Sequence, residues 1–379
     1  MPGADKQFAV SPDRSRTKAL CVLAIVAVLL ATLWPLNPFP RNGVTWLQGT
    51  TGLTFVKAGL VVSDRPVNPP DGPDSVSYSL ELLLRPASVG WSYTILGFYE
   101  PARPSQFLVR QWTDGLLVTH DARIDTDRTR TIKFDVDHAF VRGRLVLVTL
   151  SSGPNGTTVY LDGRPAQSFP KFKISRSELT GQIILGTSPV TYHPWSGELH
   201  GLAIYSKELT AADALRHYQE WTTPKGRPDL DGVMARYTFT EGAGREVRNE
   251  VLSGPSLEIP ASFSVPHKAF LTSPAKEFKP DRRYAFDVLI NIAGFVPLGL
   301  IFCAYFGWRR VAWRAILNAT AVCGTVSFVI EALQYYIPRR GSGMTDIITN
   351  TLGAALGAML VQAGPVRRVL GRLKLFPQS

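Results

Sequence analysis

Between residues 19 and 36 the chain runs eighteen residues without a charge (ALCVLAIVAVLLATLWPL). At 1.5 Å per residue this is about 27 Å of helix, enough to cross the hydrocarbon of a bilayer. Three more predominantly apolar runs follow late in the chain, at about 286–308, 313–336 and 345–363. Lipid offers the backbone no hydrogen-bond partners, so each run predicts a helix that satisfies its own N–H and C=O groups. A cleaved leader also begins with a basic segment before an apolar run. Here the exit, Trp34-Pro35-Leu36-Asn37-Pro38, lacks a small-x-small cleavage site, so the first run reads as a retained anchor with Trp34 at the interface.

The formal net charge of +11 would suit a nucleic-acid binder, but its placement points elsewhere. Arg14, Arg16 and Lys18 precede the first run, Arg309, Arg310 and Arg314 lie between the second and third, and Arg367, Arg368, Arg372 and Lys374 follow the last. Basic residues stay on the cytoplasmic side, and with four crossings all three clusters face that side. Both termini are then cytoplasmic, and residues from about 40 to 282 lie outside. No nucleic-acid-binding motif accompanies the charge. Arg339 and Arg340 break the rule, because the short loop they occupy is outside; local pairing or ligand binding is the reading left for them. Cys21, Cys303 and Cys323 all fall within apolar runs. The outer region therefore has no disulfide framework, and the three thiols read as small packing residues.

Residues 44–265 alternate short β-runs with turn residues. Val76 to Leu84 passes from alternation into an apolar run, Arg144 to Leu150 is branched and apolar, and Thr157 to Leu161 leads into Asp162-Gly163. Asp-Gly between strands is a hairpin turn, which explains Asp162 without invoking a catalytic acid. The paired carboxylates of a glycosidase are not recognisable elsewhere. SYSLELLLRP, YTILGFYE, GRLVLVTLSSGPNGTTVYLDGRP and GQIILGTSPVTYHPWSGELHGLAIYSKELTAADALRHYQEW together resemble a laminin-G-like, concanavalin A-like lectin domain. The resemblance implies an all-β jelly-roll sandwich that binds a glycan or a protein. GVMARYTFTEGAG resembles the strand that usually opens such domains, so its late position implies either a sheet completed from the C-terminal side or a partial repeat. Trp91, Trp112, Tyr192 and Trp195 are the exposed-aromatic candidates for sugar stacking. Some such domains bind calcium through loop carboxylates; Asp121, Asp125 and Asp127 are the nearest set, though their spacing fits no calcium loop. No other cofactor is implied.

The late helices carry polar residues where lipid should exclude them. Asp287 and Asn291 stand four apart, as do Asp346 and Asn350, and Glu331 and Gln334 stand three apart, so each pair shares one helix face. Ionisable groups in a membrane face the protein interior or water. DVLINIAGFVPLG followed by SFVIEALQYYIPRRGSGMTDIITNTLGAALG resembles the VanZ-like family of small bacterial membrane proteins. Its pattern selects Asn291, Phe295, Pro297, Gly299, Glu331, Gln334, Arg339 or Arg340, Asp346, Asn350 and Gly353. The large insertion after the first span departs from that family.

The resemblance implies a multi-pass inner-membrane location, with membrane lipid and a cell-envelope component as partners. Founding members are associated with resistance to teicoplanin-type glycopeptides, but no reaction is implied. Two readings of the polar residues stay open. In one they hold helices together, with Gly353-x-x-x-Gly357 allowing close approach and Glu331 or Asp346 neutralising Arg339 or Arg340. In the other they form an outward-facing site in which Glu331 is acid or base, Asp346 orients, and Arg339 or Arg340 holds phosphate; an enzyme or carrier acting on a lipid-linked glycoconjugate would follow.

The expected layout is a basic tail (1–18), a first span (19–36), a sandwich (44–265), a linker (266–285), three further spans (286–363) and a basic tail (364–379). Reporter fusions after residues 42 and 340 should read outside, and fusions after residue 310 and at the C-terminus inside; a cytoplasmic reading at residue 42 would overturn the arrangement.

Overall fold

The computed structural model describes residues 14–70, 77–125, 128–223, 230–307 and 312–372. The chain divides into two compact units, Phe39–Lys268 and a second composed of Met1–Pro38 with Ala269–Ser379.

The first unit is a sandwich of two antiparallel sheets. One sheet runs in the order Val44–Trp46, Leu53–Phe55, Gly197–Tyr205, Tyr78–Pro86, Val146–Gly153, Gly156–Leu161 and Arg164–Phe169. The strand Gly197–Tyr205 pairs with Leu53–Phe55 along its first residues and with Val233–Tyr237 along its last. The late GVMARY segment thus completes this sheet, and it is not the start of a repeat. The second sheet runs Glu246–Val247, Leu257–Glu258, Val61–Ser63, Gln182–Leu185, Ser92–Glu100, Arg103–Trp112, Gly115–Asp125 and Arg128–Val136. Entry and exit of the unit lie side by side: Arg41 bridges Ser262, and the Phe263 N–H donates to the Pro40 carbonyl at 2.8 Å. Asp162 (φ 52°) and Gly163 (φ 74°) close the expected two-residue hairpin, a conformation that favours such a pair.

The apolar run in Tyr78–Pro86 has a physical cause: its sheet is covered on both faces. Leu80, Leu82 and Leu84 enter the inter-sheet core, while Leu83 packs outward with Leu147, Tyr205, Leu209 and Trp221. That outer layer lies partly under a helix. Three helices come first in the chain, α1 (Arg14–Leu33), α2 (Arg176–Leu179) and α3 (Ala211–Thr222). Thr210 caps α3: its hydroxyl accepts from the Asp213 N–H, and the Asp213 carboxylate accepts from the Thr210 N–H in return, the reciprocal arrangement of a capping box.

Glu81 lies in the same outer layer, wholly buried. Its carboxylate accepts from the Tyr205 hydroxyl (2.7 Å), Trp221 Nε1 (2.9 Å) and Thr149 Oγ1 (3.2 Å), and lies 3.0 Å from His217 Nδ1. Two of these partners come from α3. Burial, reinforced by the Glu81 charge, pushes the Tyr205 phenol well above its ordinary range, so it stays a donor. This network fastens α3 to the sheet.

The second unit contains α1 with α4 (Pro274–Glu277), α5 (Arg282–Phe306), α6 (Ala312–Tyr335), α7 (Met344–Leu360) and α8 (Gly364–Arg372). Helices α1, α5 and α6 are long and apolar enough to span a membrane; α7 turns by 84° into α8, and the pair makes a fourth span if counted together. The expected last span, 345–363, is therefore a 17-residue helix followed by a bend. The basic segment expected as a tail from residue 364 begins with α8, which buries Leu370 against the bundle and exposes Arg367, Arg368 and Arg372.

Small residues set the distance between α5 and α7. A Cβ added at Gly353, Gly357 or Gly299 would overlap the carbonyl oxygen of Ile292, Val296 or Ala354 respectively. The two backbones are in contact, as small-x-x-x-small helix pairs permit. Cys21, Cys303 and Cys323 are free thiols within the same apolar cluster.

Two substitutions test these contacts. Glu81→Ala strands several buried donors and should lower sandwich stability by about 3 to 5 kcal/mol, read by chemical denaturation followed through near-ultraviolet dichroism. Gly353→Val should separate α5 from α7 and lower the melting temperature of the detergent-solubilised protein, whereas a valine at Gly294, whose added Cβ meets nothing within 4 Å, should leave it nearly unchanged.

Candidate functional site

The polar residues selected in the helical unit divide by what they hold. Glu331, on α6 and 1% exposed, accepts the Gly343 N–H at 2.8 Å through Oε2, while its carbonyl accepts from the Ser342 hydroxyl at 3.1 Å. Gly343 is the N-cap of α7, where backbone N–H groups lack intrahelical partners. The next amides are also met: Met344 N–H donates to the Thr272 carbonyl at 3.0 Å, and Thr345 N–H to Glu277 Oε2 at 3.0 Å. The start of α7 is thus held by two carboxylates and a carbonyl, in the position where a bound anion would otherwise gain from the helix dipole.

Gln334 and Arg340 serve the opposite pole of another helix. Gln334 Nε2 donates to the Thr32 carbonyl and Arg340 Nη2 to the Trp34 carbonyl, each at 3.0 Å. These carbonyls lie at the C-terminal end of α1, where acceptors are left over and positive charge is favoured. This accounts for Arg340 in the loop between α6 and α7 without a ligand. Arg339 is exposed in the same loop.

Asp346 Oδ1 accepts from Asn291 Nδ2 at 2.8 Å, joining α7 to α5. One turn deeper, Asn350 Nδ2 donates to Ser327 Oγ at 3.0 Å, while its Oδ1 is buried with no partner. Asp287 and Asp346 border a cleft of about 550 Å³ together with Glu277, Lys279, Arg283 and Tyr284. Of the eight selected residues, the structure brings Asp287 and Asp346 to this cleft, and Asn291 is tied to it only through its bond to Asp346. Glu331, Gln334 and Arg340 are engaged at helix ends, and Asn350 lies deeper. Sequence reasoning missed Glu277, which sits in the segment expected to be a linker, at the end of the short helix Pro274–Glu277.

In the sandwich the four aromatic candidates separate sharply. Trp195 is 1% exposed, packs against Phe55 with centroids 5.7 Å apart and donates from Nε1 to Gln111 Oε1 at 3.0 Å. It is a core residue and not a ligand platform, because the inter-sheet interior takes its ring and an inward amide satisfies its N–H. Tyr192 is half-buried, edge-on to Phe263. Trp91 and Trp112 are 75% and 54% exposed. Their backbones adjoin: Ser92 pairs with Trp112, and the Thr113 N–H donates to the Trp91 carbonyl at 3.1 Å.

Arg110 stands two residues before Trp112 on the same strand face, and its Nη2 donates to Ser92 Oγ at 2.7 Å. Burial holds its guanidinium below the ordinary arginine value. His193 is likewise lowered, by burial first and then by the nearby Arg110 charge. Of the calcium candidates, Asp121 accepts from Thr131 Oγ1 at 2.9 Å; Asp127 and the Asp125 side chain lie outside the described residues. No group of three or more His, Cys, Asp or Glu residues suited to a metal occurs among the described residues.

Residues 63–214 match the concanavalin A-like lectin/glucanases superfamily, and residues 236–365 match the VanZ/LLP1 family. The second match begins within the sandwich strand Val233–Tyr237 and runs through α7. No curated protein matches the sequence. Among solved structures, the chain is similar to a heptameric SAP-like pentraxin from Limulus polyphemus (14% identity, 58% of this chain and 94% of that one, TM-score 0.35). It is similar to a putative carbohydrate binding protein from Bacteroides ovatus (13% identity, 56% and 63%, TM-score 0.34). It also resembles the receptor binding domain of botulinum neurotoxin D (16% identity, 52% and 50%, TM-score 0.35). The chain therefore joins a concanavalin A-like domain, lying within the sandwich, to a VanZ-like domain that includes the late membrane helices.

Proposed function

We propose that this is a bacterial inner-membrane protein that displays its sandwich outside the cytoplasm to bind a glycan or another cell-envelope component. The observation that carries the reading is the exposed pair Trp91 and Trp112 on adjoining backbone. Indole rings left in water at the end of a sheet are suited to stack on the apolar faces of sugar rings. The superfamily match to lectins and glucanases supports a carbohydrate ligand. The helical unit anchors this reader, and a part in envelope maintenance or in resistance to teicoplanin-type glycopeptides follows if the ligand is a wall polymer.

The second reading, an enzyme or carrier working through Glu331, Arg339 and Asp346, has less in its favour. One Glu331 oxygen is occupied by the N-cap amide of α7, and one Asp346 oxygen by Asn291. What favours it is the cleft beside Asp287 and Asp346, a place where a polar headgroup could lodge.

Full-length protein in detergent should co-sediment with isolated envelope polysaccharide. The double substitution Trp91→Ala, Trp112→Ala should weaken that binding at least about tenfold, or about 1.4 kcal/mol, with melting unchanged because both rings are exposed. Wild-type protein that fails to sediment with any envelope polymer would refute the reading.

A further inference from the structure

The strand face that carries Trp112 also carries an unbalanced cation. Arg110 is half-buried, its Nε is covered with no hydrogen-bond partner, and Nη2 donates to the neutral hydroxyl of Ser92. Among the described residues no carboxylate forms an ion pair with it. The neighbouring acids are engaged or distant. Asp114, in the hairpin beyond Trp112, holds His138 at 2.6 Å. Asp135 stands across Leu117 from Arg110, two strands or about 10 Å away. A cation taken partly out of water without a counterion is costly to the free protein and gains from an incoming anion. A guanidinium is well shaped to take a planar carboxylate.

Ser92, the register partner of Trp112, holds the Arg110 guanidinium on the Trp112 side. His193 runs beside Thr94, the register partner of Arg110, through the Thr94 N–H to His193 carbonyl bond at 3.1 Å. An aromatic ring, a hydroxyl and an uncompensated guanidinium therefore share one face.

Resting on the glycan reading above, we propose that this face is a subsite for an acidic sugar, with the pyranose ring on Trp112 and its carboxylate on Arg110. Arg110 then selects among glycans, and the tryptophans supply affinity common to all of them.

The test uses full-length protein in detergent and tryptophan fluorescence titrations with oligosaccharides of galacturonate, mannuronate and hyaluronan, each beside its methyl-esterified, uncharged counterpart. At least one acid should bind about tenfold more tightly than its ester, and the preference should shrink as ionic strength rises. Arg110→Gln should bring the ratio to about one while leaving ester binding unchanged, and Arg110→Lys should retain part of the preference. Unchanged ester binding also shows that the variant is folded. Equal binding of acids and esters by the wild type would overturn the acidic-sugar subsite and leave the glycan reading standing. So would a preference that survives in Arg110→Gln, or failure to bind any of these oligosaccharides while envelope polysaccharide is still bound. Arg110-dependent binding to anionic phospholipid vesicles with no binding to the acids would reassign the face to a membrane surface. Loss of envelope-polymer binding altogether would instead bring down the broader reading.

Discussion

A helix leaves its first backbone N–H groups without partners inside the helix, and the helical unit is arranged around meeting that demand at α7. Glu331 from α6, Thr272, and Glu277 from α4 take the amides of Gly343, Met344 and Thr345 in turn. These contacts draw four segments to one point. They also fix where Asp346 emerges, close enough to α5 for Asn291 to reach it. Below that point the glycine contacts bring α5 and α7 together, so the polar junction and the small-residue seam reinforce one another. At the end of α1 the same logic runs with opposite sign, because carbonyls there are met by the amide of Gln334 and the guanidinium of Arg340.

Much of this was legible in the sequence, and what was not had a definite cause. Hydropathy marked every long helix, since an apolar run of about twenty residues has few alternatives. It could not show that α7 turns by 84° after Leu360, because hydropathy counts apolar residues and carries no information on helix direction. Helical spacing singled out Glu331, Gln334, Asp346 and Asn350 as inward-facing, but spacing does not say which backbone group each one meets. Glu277 was invisible, being far from α7 in sequence and beside it in space. In the sandwich, the Asp162-Gly163 hairpin was readable because it is local. Trp195 was not, since a tryptophan between turn residues looks alike whether its ring points into the core or into water.

Glu81 illustrates the same limit from the other side. A lone acid in an apolar strand reads as a surface residue, and only the fold reveals that Tyr205, His217 and Trp221 arrive to surround it. The helix-covered layer is occupied by α3 and its network, whereas Trp91 and Trp112, at one end of the second sheet, stand exposed.

The adjacency of Arg41 and Ser262, where the chain enters and leaves the sandwich, bears on how such a chain can be assembled at all. A fold whose two ends emerge together can be spliced into the connection between two packed helices at small entropic cost, since closing that connection no longer depends on the 230 residues of the inserted unit. To α1 and α5 the insertion is topologically a short hairpin loop. The packing of the helices can then stay the same whatever domain is grafted between α1 and α5.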